Sequence, residues 1–210
     1  MSRILKAIAS VTLALLLVGC EMMADEVKPG AVSEPLAAFA ARQAELAQLS
    51  DWRAVGRLAL KANGEGWTAT VSWDNKPARW RIRLSGPLGQ GALQLTGTPD
   101  EVVLARSDGS KVRAMSADEL VARAVGWPMP VSGLQYWMKG DIDPSVPVDA
   151  LVVGDAGLLE SVRQSGWSVQ IPSYMDAKDL VMPREIILTN PRVDARITVR
   201  RWRVTPSKNS

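Results

Sequence analysis

A change to period-two patterning at Trp52 constrains the fold more than any other feature of this 210-residue chain. From there to residue 85, apolar and polar residues alternate in three successive runs that two turns separate. The apolar positions of the second and third runs are Trp67, Ala69, Val71, Trp73, Trp80, Ile82 and Leu84. Such alternation is typical of antiparallel strands with one buried and one solvated face. The sequence therefore predicts a strand meander.

Further strands are predicted on both sides of a helical insertion. Asn63-Gly64 is the strongest hairpin signal in the meander. The weaker strands are expected at residues 91–96, 101–105, 111–115, 158–164, 167–171, 185–189 and 196–204. We expect Pro172 to end the strand at 167–171 early, because proline cannot donate to a strand ladder. Roughly ten antiparallel strands predict a curved, nearly closed sheet.

Three helices are predicted to pack against this sheet. The first spans residues 34–49, where Leu, Phe and Ala recur near helical spacing. Ser116 and Glu119 form a capping box that begins the second helix, which ends by Gly126. The third covers residues 131–139 before Gly140. Residues 141–148 contain two prolines and are predicted to form a loop.

The first twenty residues indicate export and lipidation. The apolar run at residues 8–18 is too short to span a membrane and is typical of a signal peptide. Leu17-Val18-Gly19-Cys20 follows the lipobox pattern, with lipid attached to Cys20. The alternative is an ordinary signal peptide followed by an incidental cysteine, although the chain has one cysteine only. We expect a removed signal (1–19), lipidated Cys20 with a flexible tether (20–33), and a folded domain (34–210).

Composition argues against several classes of function. Removing the predicted signal takes away Arg3 and Lys6 and no acidic residue, so the net charge falls from +3 to +1. That balance gives no case for nucleic-acid binding. The chain has no histidine, and its cysteine is predicted to carry lipid, so the usual acid–base and nucleophilic groups are missing. With no cluster at metal-ligand spacing either, we predict neither an enzyme nor a cofactor or metal site.

The segment Gly86-Pro87-Leu88-Gly89-Gln90-Gly91 superficially resembles a phosphate loop. It lacks the lysine that should follow and leads into a strand rather than a helix, so we interpret it as a hairpin tip. Leu88 lies at this tip without a periodic partner. A single exposed leucine usually has no function, so its position alone decides nothing.

The apolar face of the meander has two interpretations. The residues concerned are Trp67, Trp73, Trp80, Ile82, Leu84, Leu93, Leu95, Val102 and Leu104. They either pack together and fill the barrel, or they line a cavity that a curved sheet leaves beneath its helical cover. Wide, rigid tryptophans can line such a space without collapsing into it. Periodicity alone does not distinguish a filled barrel from a lined one.

From about Trp52 to Trp202 the chain resembles the LolB family of outer-membrane lipoprotein receptors. The motifs that carry this resemblance are, in order, Gly56-Arg57-Leu58, Trp73, Gly86-Pro87-Leu88-Gly89, Gly126-Trp127-Pro128-Met129-Pro130-Val131, Leu134, Trp137, Gly140, Gln164-Ser165-Gly166-Trp167, Tyr174, Met182-Pro183 and the strand 196–202. Each is short, but their order and spacing are fairly specific. The lipobox also fits, since this family is lipidated while the related soluble carrier, LolA, is not. After Trp167 the chain carries Gln170 and Ile171 where we expect an aromatic residue.

The resemblance implies an incomplete antiparallel β-barrel of about ten to eleven strands, covered by a few α-helices and enclosing an apolar cavity for lipoprotein acyl chains. The expected cavity residues are Trp67, Val71, Trp73, Trp80, Ile82, Leu84, Leu93, Leu95, Trp127 and Trp137. It also implies that Pro87-Leu88-Gly89 contacts the membrane. The implied function is to accept lipoproteins from the carrier LolA and insert them into the outer membrane. Cys20 would anchor the chain, a monomer, on the periplasmic face.

Two other functions remain open on the sequence. A lipid-anchored protein with the same shell could bind a different apolar ligand or sense envelope stress, and an anchored scaffold could have a solidly filled barrel. The arginines leave a further choice. The arginines of two predicted strands form either a solvated sheet face or a basic rim that steers an acidic carrier. They are Arg79, Arg81 and Arg83 in one strand and Arg196, Arg200, Arg201 and Arg203 in the other.

Overall fold

Eleven antiparallel strands form one sheet in the computed structural model, which describes residues 33–87, 91–126 and 128–205. The strands are β1 (Asp51–Ala62), β2 (Glu65–Lys76), β3 (Arg79–Ser85), β4 (Leu93–Gly97), β5 (Val102–Arg106), β6 (Lys111–Ala114), β7 (Ala150–Val153), β8 (Leu159–Gln164), β9 (Trp167–Ala177), β10 (Leu180–Asn190) and β11 (Val193–Thr205). The helices are α1 (Glu34–Ala47), α2 (Ala117–Val125) and α3 (Val131–Trp137). The strand order β6-β5-β4-β3-β2-β1-β11-β10-β9-β8-β7 leaves β6 and β7 as the edges. The predicted incomplete barrel with helices is confirmed.

The first and last strands meet at the centre of the sheet. β1 pairs with β11 along its whole length, and the register shifts by one residue between Val55 and Gly56, where Arg200 is the extra residue. A Cβ atom at Gly56 would overlap the carbonyl oxygen of Thr198, so the bulge requires glycine at this position. As a result of the shift, Arg200 and Arg201 are both exposed.

The hairpin between β1 and β2 forms at the predicted turn. Asn63 and Gly64 have φ values of 52° and 81°, the left-handed conformation that a tight two-residue hairpin needs. Each strand predicted from the sequence is present, and β7 is the one strand that was not predicted.

β9 does not end early at Pro172, so that prediction was wrong. Opposite this proline the register with β10 shifts between Glu185 and Ile187. Residues 171 and 172 therefore face a single residue of β10, and the proline occupies an irregular position where the ladder needs no donor. The strand continues to Ala177.

α1 is held against the sheet by apolar and polar contacts. Phe39 and Leu46 are buried in the main core. The Arg42 guanidinium donates to the carbonyl oxygens of Lys139, at 3.4 Å, and of Val181. The Gln43 amide donates to the Asp141 carboxylate at 2.8 Å. These contacts join α1 to β10 and to the loop that follows α3.

Tyr174 lies beneath α1, with the Arg42 guanidinium carbon 5.9 Å from its ring centre. Its hydroxyl donates to the Leu159 carbonyl oxygen at 2.6 Å, and burial raises the pKa of Tyr174 far above its usual range. A tyrosine in the unfolded chain ionises near pH ~10, whereas the folded one stays protonated. Stability should therefore fall as pH rises above about 10, because the unfolded chain then binds fewer protons.

Urea unfolding of the unmodified protein and of Tyr174→Phe between pH 7 and about 11 measures this effect. The unmodified protein should lose stability more steeply above pH ~10 than the variant, while the two differ by a constant amount below pH ~9. Parallel pH profiles throughout would exclude Tyr174 as the source of alkaline sensitivity.

The two short helices form one cover in the connection between the edge strands β6 and β7. The Ser116 hydroxyl accepts from the Glu119 amide at 3.3 Å, which confirms the predicted N-cap of α2. The Asp118 carboxylate accepts from the Ser132 amide at 2.9 Å and from its hydroxyl at 2.5 Å. Asp118 therefore joins the start of α2 to the start of α3. Within the described ranges, no helix is long and apolar enough to cross a membrane.

Gln164, at the end of β8, holds the other side of this connection. Its side chain is fully buried and makes four hydrogen bonds. It accepts from the Trp137 indole at 3.0 Å and from the Asp143 amide at 3.1 Å. It donates to the carbonyl oxygens of Asp143 at 2.9 Å and Val146 at 3.3 Å. One side chain thus fixes both the end of α3 and the following loop to the sheet.

Candidate functional site

An apolar cavity of about 100 Å³ lies between the concave face of the sheet and the helical cover. The sheet contributes Leu58, Val71, Trp73, Ile82, Leu84, Leu93, Leu95, Leu104, Leu188, Ala195 and Ile197. The cover contributes Val121, Ala124, Met129, Val131 and Leu134. Among the residues that the structure describes, no polar or charged side chain lines this space. Such a lining can attract only apolar ligands and offers no group for acid–base chemistry.

Strand register builds the larger wall of the cavity. Inward-facing residues of neighbouring strands lie directly opposite one another in two rows. The rows are Val71–Leu84–Leu93 and Trp73–Ile82–Leu95–Leu104. Because directly opposed side chains of antiparallel strands are close, each row forms a continuous apolar strip across the sheet.

Tryptophans make this wall stiff on one side. The ring of Trp73 lies 5.4 Å from that of Trp52 and 6.5 Å from that of Trp80, and Trp52 is 5.5 Å from Trp202. All three pairs are tilted rather than stacked, a favourable arrangement for aromatic rings. Trp73 therefore packs against two other tryptophan rings while it also borders the cavity.

Six of the ten predicted cavity residues lie along the cavity: Val71, Trp73, Ile82, Leu84, Leu93 and Leu95. Trp67 does not, and its side chain is 40% exposed. Pairing of β2 with β3 begins at Thr70, so Trp67 lies on a part of β2 that extends past the end of β3. Its side chain is on the inward face of β2 but lies beyond the end of the cavity.

Trp80 and Trp137 are also outside the lining. Trp80 covers Gly97 on the neighbouring strand, where a Cβ atom would overlap its ring. Trp137 is 1% exposed and packs in the main core, with its indole bonded to Gln164. Trp127, the last of the ten, lies outside the described residues.

Several lining residues were not predicted. Leu58, Leu188, Ala195 and Ile197 come from the three strands around the β1–β11 junction, Leu104 was predicted only on the apolar face, and the others come from the cover. The alternation of Val193, Ala195, Ile197 and Val199 with polar residues carried the signal, since all four are buried on one face of β11. The helical residues could not be assigned to the cavity without knowing how the cover packs.

Enlarging Ala195 tests whether this cavity is the binding site. Ala195→Leu adds three carbons to a buried position on the lining, so it should lower uptake of a fluorescent fatty acid severalfold. The matched control is Ala59→Leu, because Ala59 is exposed on β1 opposite Arg196 and faces away from the cavity. Equal uptake by both variants would place the ligand elsewhere.

The predicted membrane contact and anchor lie mostly outside the described residues. Pro87 is exposed and comes two residues after the end of β3. Leu88, Gly89 and Cys20 are not among the residues that the structure describes. Their roles remain predictions.

The fold and the site define a class of protein first. The chain is an open antiparallel sheet that curves around an apolar cavity beneath a short helical cover, and solved structures of other proteins share this fold. A LolA superfamily protein from Nitrosomonas europaea has a similar fold, with a TM-score of 0.52, 11% identity, and coverage of 83% of this chain and 94% of that one. A putative outer membrane lipoprotein-sorting protein domain from Vibrio parahaemolyticus gives a TM-score of 0.54 at 11% identity, with 82% and 94% covered.

The sequence then gives the family. Residues 50–202 match the profile of the family described as outer membrane lipoprotein LolB. An outer-membrane lipoprotein LolB from Nitrosococcus oceani is 33% identical over 190 residues, which cover 90% of this chain and 93% of that protein. The chain belongs to the LolB family, which confirms the resemblance found in the sequence. It is an outer-membrane protein of lipoprotein transport and not an enzyme.

Proposed function

We propose that this chain accepts lipoproteins from the periplasmic carrier LolA and inserts them into the outer membrane. The observation that carries this proposal is the wholly apolar lining of the cavity, which suits acyl chains and excludes polar ligands. Lipidated Cys20 holds the chain on the periplasmic face of that membrane, and Pro87-Leu88-Gly89 contacts the bilayer. The residues that line the cavity are the binding site for the acyl chains.

Cargo binding requires the cavity to widen. Its volume of about 100 Å³ is well below the ~300–1,000 Å³ of ordinary ligand pockets. The cover supplies five lining residues, and the Asp118–Ser132 hydrogen bonds hold its two helices together. We therefore infer that α2 and the start of α3 swing outward together when acyl chains enter, about the end of α3 that Gln164 fixes to the sheet.

Acyl chains must pass directly from carrier to receptor. Burying one CH₂ group contributes about 0.8 kcal/mol, so three chains of about sixteen carbons contribute roughly 35–40 kcal/mol relative to water. A barrier of even about 25 kcal/mol limits release into water to about 10⁻⁶ per second. A free intermediate in water is therefore too slow to contribute, and the two cavities must meet.

A transfer assay tests the proposal. LolA loaded with a labelled lipoprotein is mixed with the purified chain and then with liposomes, and cargo on each component is measured with time. We expect cargo to pass to the chain at a rate proportional to both protein concentrations and then to reach the bilayer. A rate that does not depend on collisions between the two proteins would contradict direct transfer. Fatty-acid uptake without lipoprotein transfer would favour a receptor for another apolar ligand, and neither activity would indicate a scaffold.

A further inference from the structure

The outer wall of the barrel carries a basic groove of about 460 Å³. Its five cations are Arg53, Lys76, Arg79, Arg81 and Arg83. Trp80 and one carboxylate, that of Asp74, complete the lining. The arginines of β3 alternate with Ile82 and Leu84, which line the cavity, so these cations point away from the acyl-chain site.

Most of this charge has no acidic partner. Asp74 pairs with Arg53 at 3.3 Å, and Arg53 also donates to the Ser72 hydroxyl at 3.2 Å. In the described part of the chain, no carboxylate lies within salt-bridge distance of Lys76, Arg79, Arg81 or Arg83. An unbalanced cluster of cations in one groove favours an anionic ligand.

Arg81 has a hydrogen-bond donor without an acceptor. Its Nε atom is buried, and no hydrogen-bond acceptor reaches it among the described residues. A buried donor on a charged group is costly to leave unpaired. The planar guanidinium group suits the tetrahedral oxygens of a phosphate, which accept several hydrogen bonds at once.

We propose that this groove binds the phosphate of an anionic phospholipid headgroup and that it sets the orientation of the barrel on the membrane. Continuity favours a lipid: β3, which supplies Arg79, Arg81 and Arg83, leads directly into Pro87 at the proposed membrane contact. The assignment of a lipid rests on the proposed function, whereas the anion site rests on the groove alone.

A carrier protein fits this surface less well. It must deliver acyl chains into the cavity, and the groove lies on the opposite side of the sheet from the lining residues of β3. The outward cations also continue along the wall onto β11, where Arg203 lies directly opposite Arg53. A broad, shallow basic wall matches a membrane surface, which presents many phosphates in one plane.

Vesicle binding tests this proposal without any cargo. The full chain carrying Cys20→Ala, which lacks the lipid anchor, is mixed with vesicles of phosphatidylcholine alone or with phosphatidylglycerol. We expect binding to require phosphatidylglycerol and to weaken as salt rises. Arg79→Ser with Arg83→Ser should weaken binding about 10- to 30-fold. The matched control, Arg163→Ser with Arg192→Ser, removes two exposed arginines from elsewhere and should change it less than about twofold.

A second measurement follows the Arg81 Nε–H group directly. The NMR signal of the Arg81 Nε–H should shift on addition of short-chain phosphatidylglycerol and not of the matching phosphatidylcholine. Inorganic phosphate that shifts the same signal at equal concentration would indicate a free-anion site, which overturns the lipid assignment. Equal losses in the groove and control variants would show that net charge alone drives binding. Slower association with LolA at unchanged vesicle binding would assign the groove to the carrier instead.

These outcomes are independent of receptor activity. The groove variant should still take up cargo, because its substitutions lie on the outer wall and leave the cavity unchanged. Failure of lipoprotein transfer by the unmodified chain would contradict the proposed function and leave the vesicle results standing.

Discussion

Leu88→Glu should abolish the insertion of lipoproteins into bilayers while leaving the fold and cargo uptake intact. Holding acyl chains and delivering them are separate tasks, and delivery needs an apolar contact that enters the headgroup boundary. In the proposed membrane contact, Pro87 stiffens the segment, and Leu88 gains about 1.5–3 kcal/mol when the bilayer buries it. That free energy allows a brief contact, and we propose that lasting attachment comes from the lipid on Cys20. A charged carboxylate at the tip would reverse the preference for the bilayer.

The experiment loads purified Leu88→Glu protein with a labelled lipoprotein and then adds liposomes. Leu36→Glu is the matched control, since Leu36 is 41% exposed on α1 and should tolerate the change. Insertion by Leu88→Glu at the unmodified rate would reduce Leu88 to an exposed turn residue. Replacing Cys20 should instead mislocalise the protein yet leave some insertion activity when it is supplied in excess.

Gln164→Met should cost about 4 kcal/mol of unfolding free energy, a large effect for a substitution that nearly conserves shape. Each hydrogen bond lost is worth about 1 kcal/mol, and each buried group left unpaired costs about 1–3 kcal/mol. The Trp137 indole and the Asp143 amide would both lose their acceptor. Urea unfolding measures the loss. Gln170→Met is the control because Gln170 is exposed on β9, and it should change stability by less than about 0.5 kcal/mol.

A small effect at Gln164 would mean that water replaces its hydrogen bonds, and the loop after α3 would then need another explanation for its order. Amide hydrogen exchange at Asp143 separates these cases. Fast exchange in the variant indicates a released loop, and unchanged exchange indicates a substituted partner.

The sequence predicted the strands well where alternation was strong. β1, β2 and β3 were predicted from period two, because one face of each strand meets the core and the other meets solvent. β7 was missed because four residues after a proline-containing loop are too few to show a period. The end of β9 was predicted wrongly because a strand tolerates proline at a bulge. Whether a bulge forms at Pro172 depends on the pairing with β10, which the sequence of β9 alone does not show.

The candidate site was predicted less completely, and for a geometric reason. Alternation tells which face of a strand a residue occupies but not its position along the barrel. Trp67 is on the inward face of β2, as predicted, but it lies past the end of β3. Trp80 is on the inward face of β3, but its ring covers Gly97 instead of lining the cavity. Gln164 was part of a family motif, yet its burial depends on hydrogen bonds to Asp143, 21 residues earlier in the chain, which no local pattern reveals.

The position of the cover between two unpaired edges has a mechanical consequence. A closed barrel has a fixed circumference, and enlarging it breaks backbone hydrogen bonds between strands. Here β6 and β7 are the ends of an open sheet, so the circumference can grow by flattening the sheet while the ladders from β6 to β7 stay intact. The free-energy cost of binding a large ligand is then the cost of bending the sheet and repacking side chains, and no backbone hydrogen bond between strands has to break. An open sheet of this kind can adjust the volume of its cavity to ligands of different acyl-chain length.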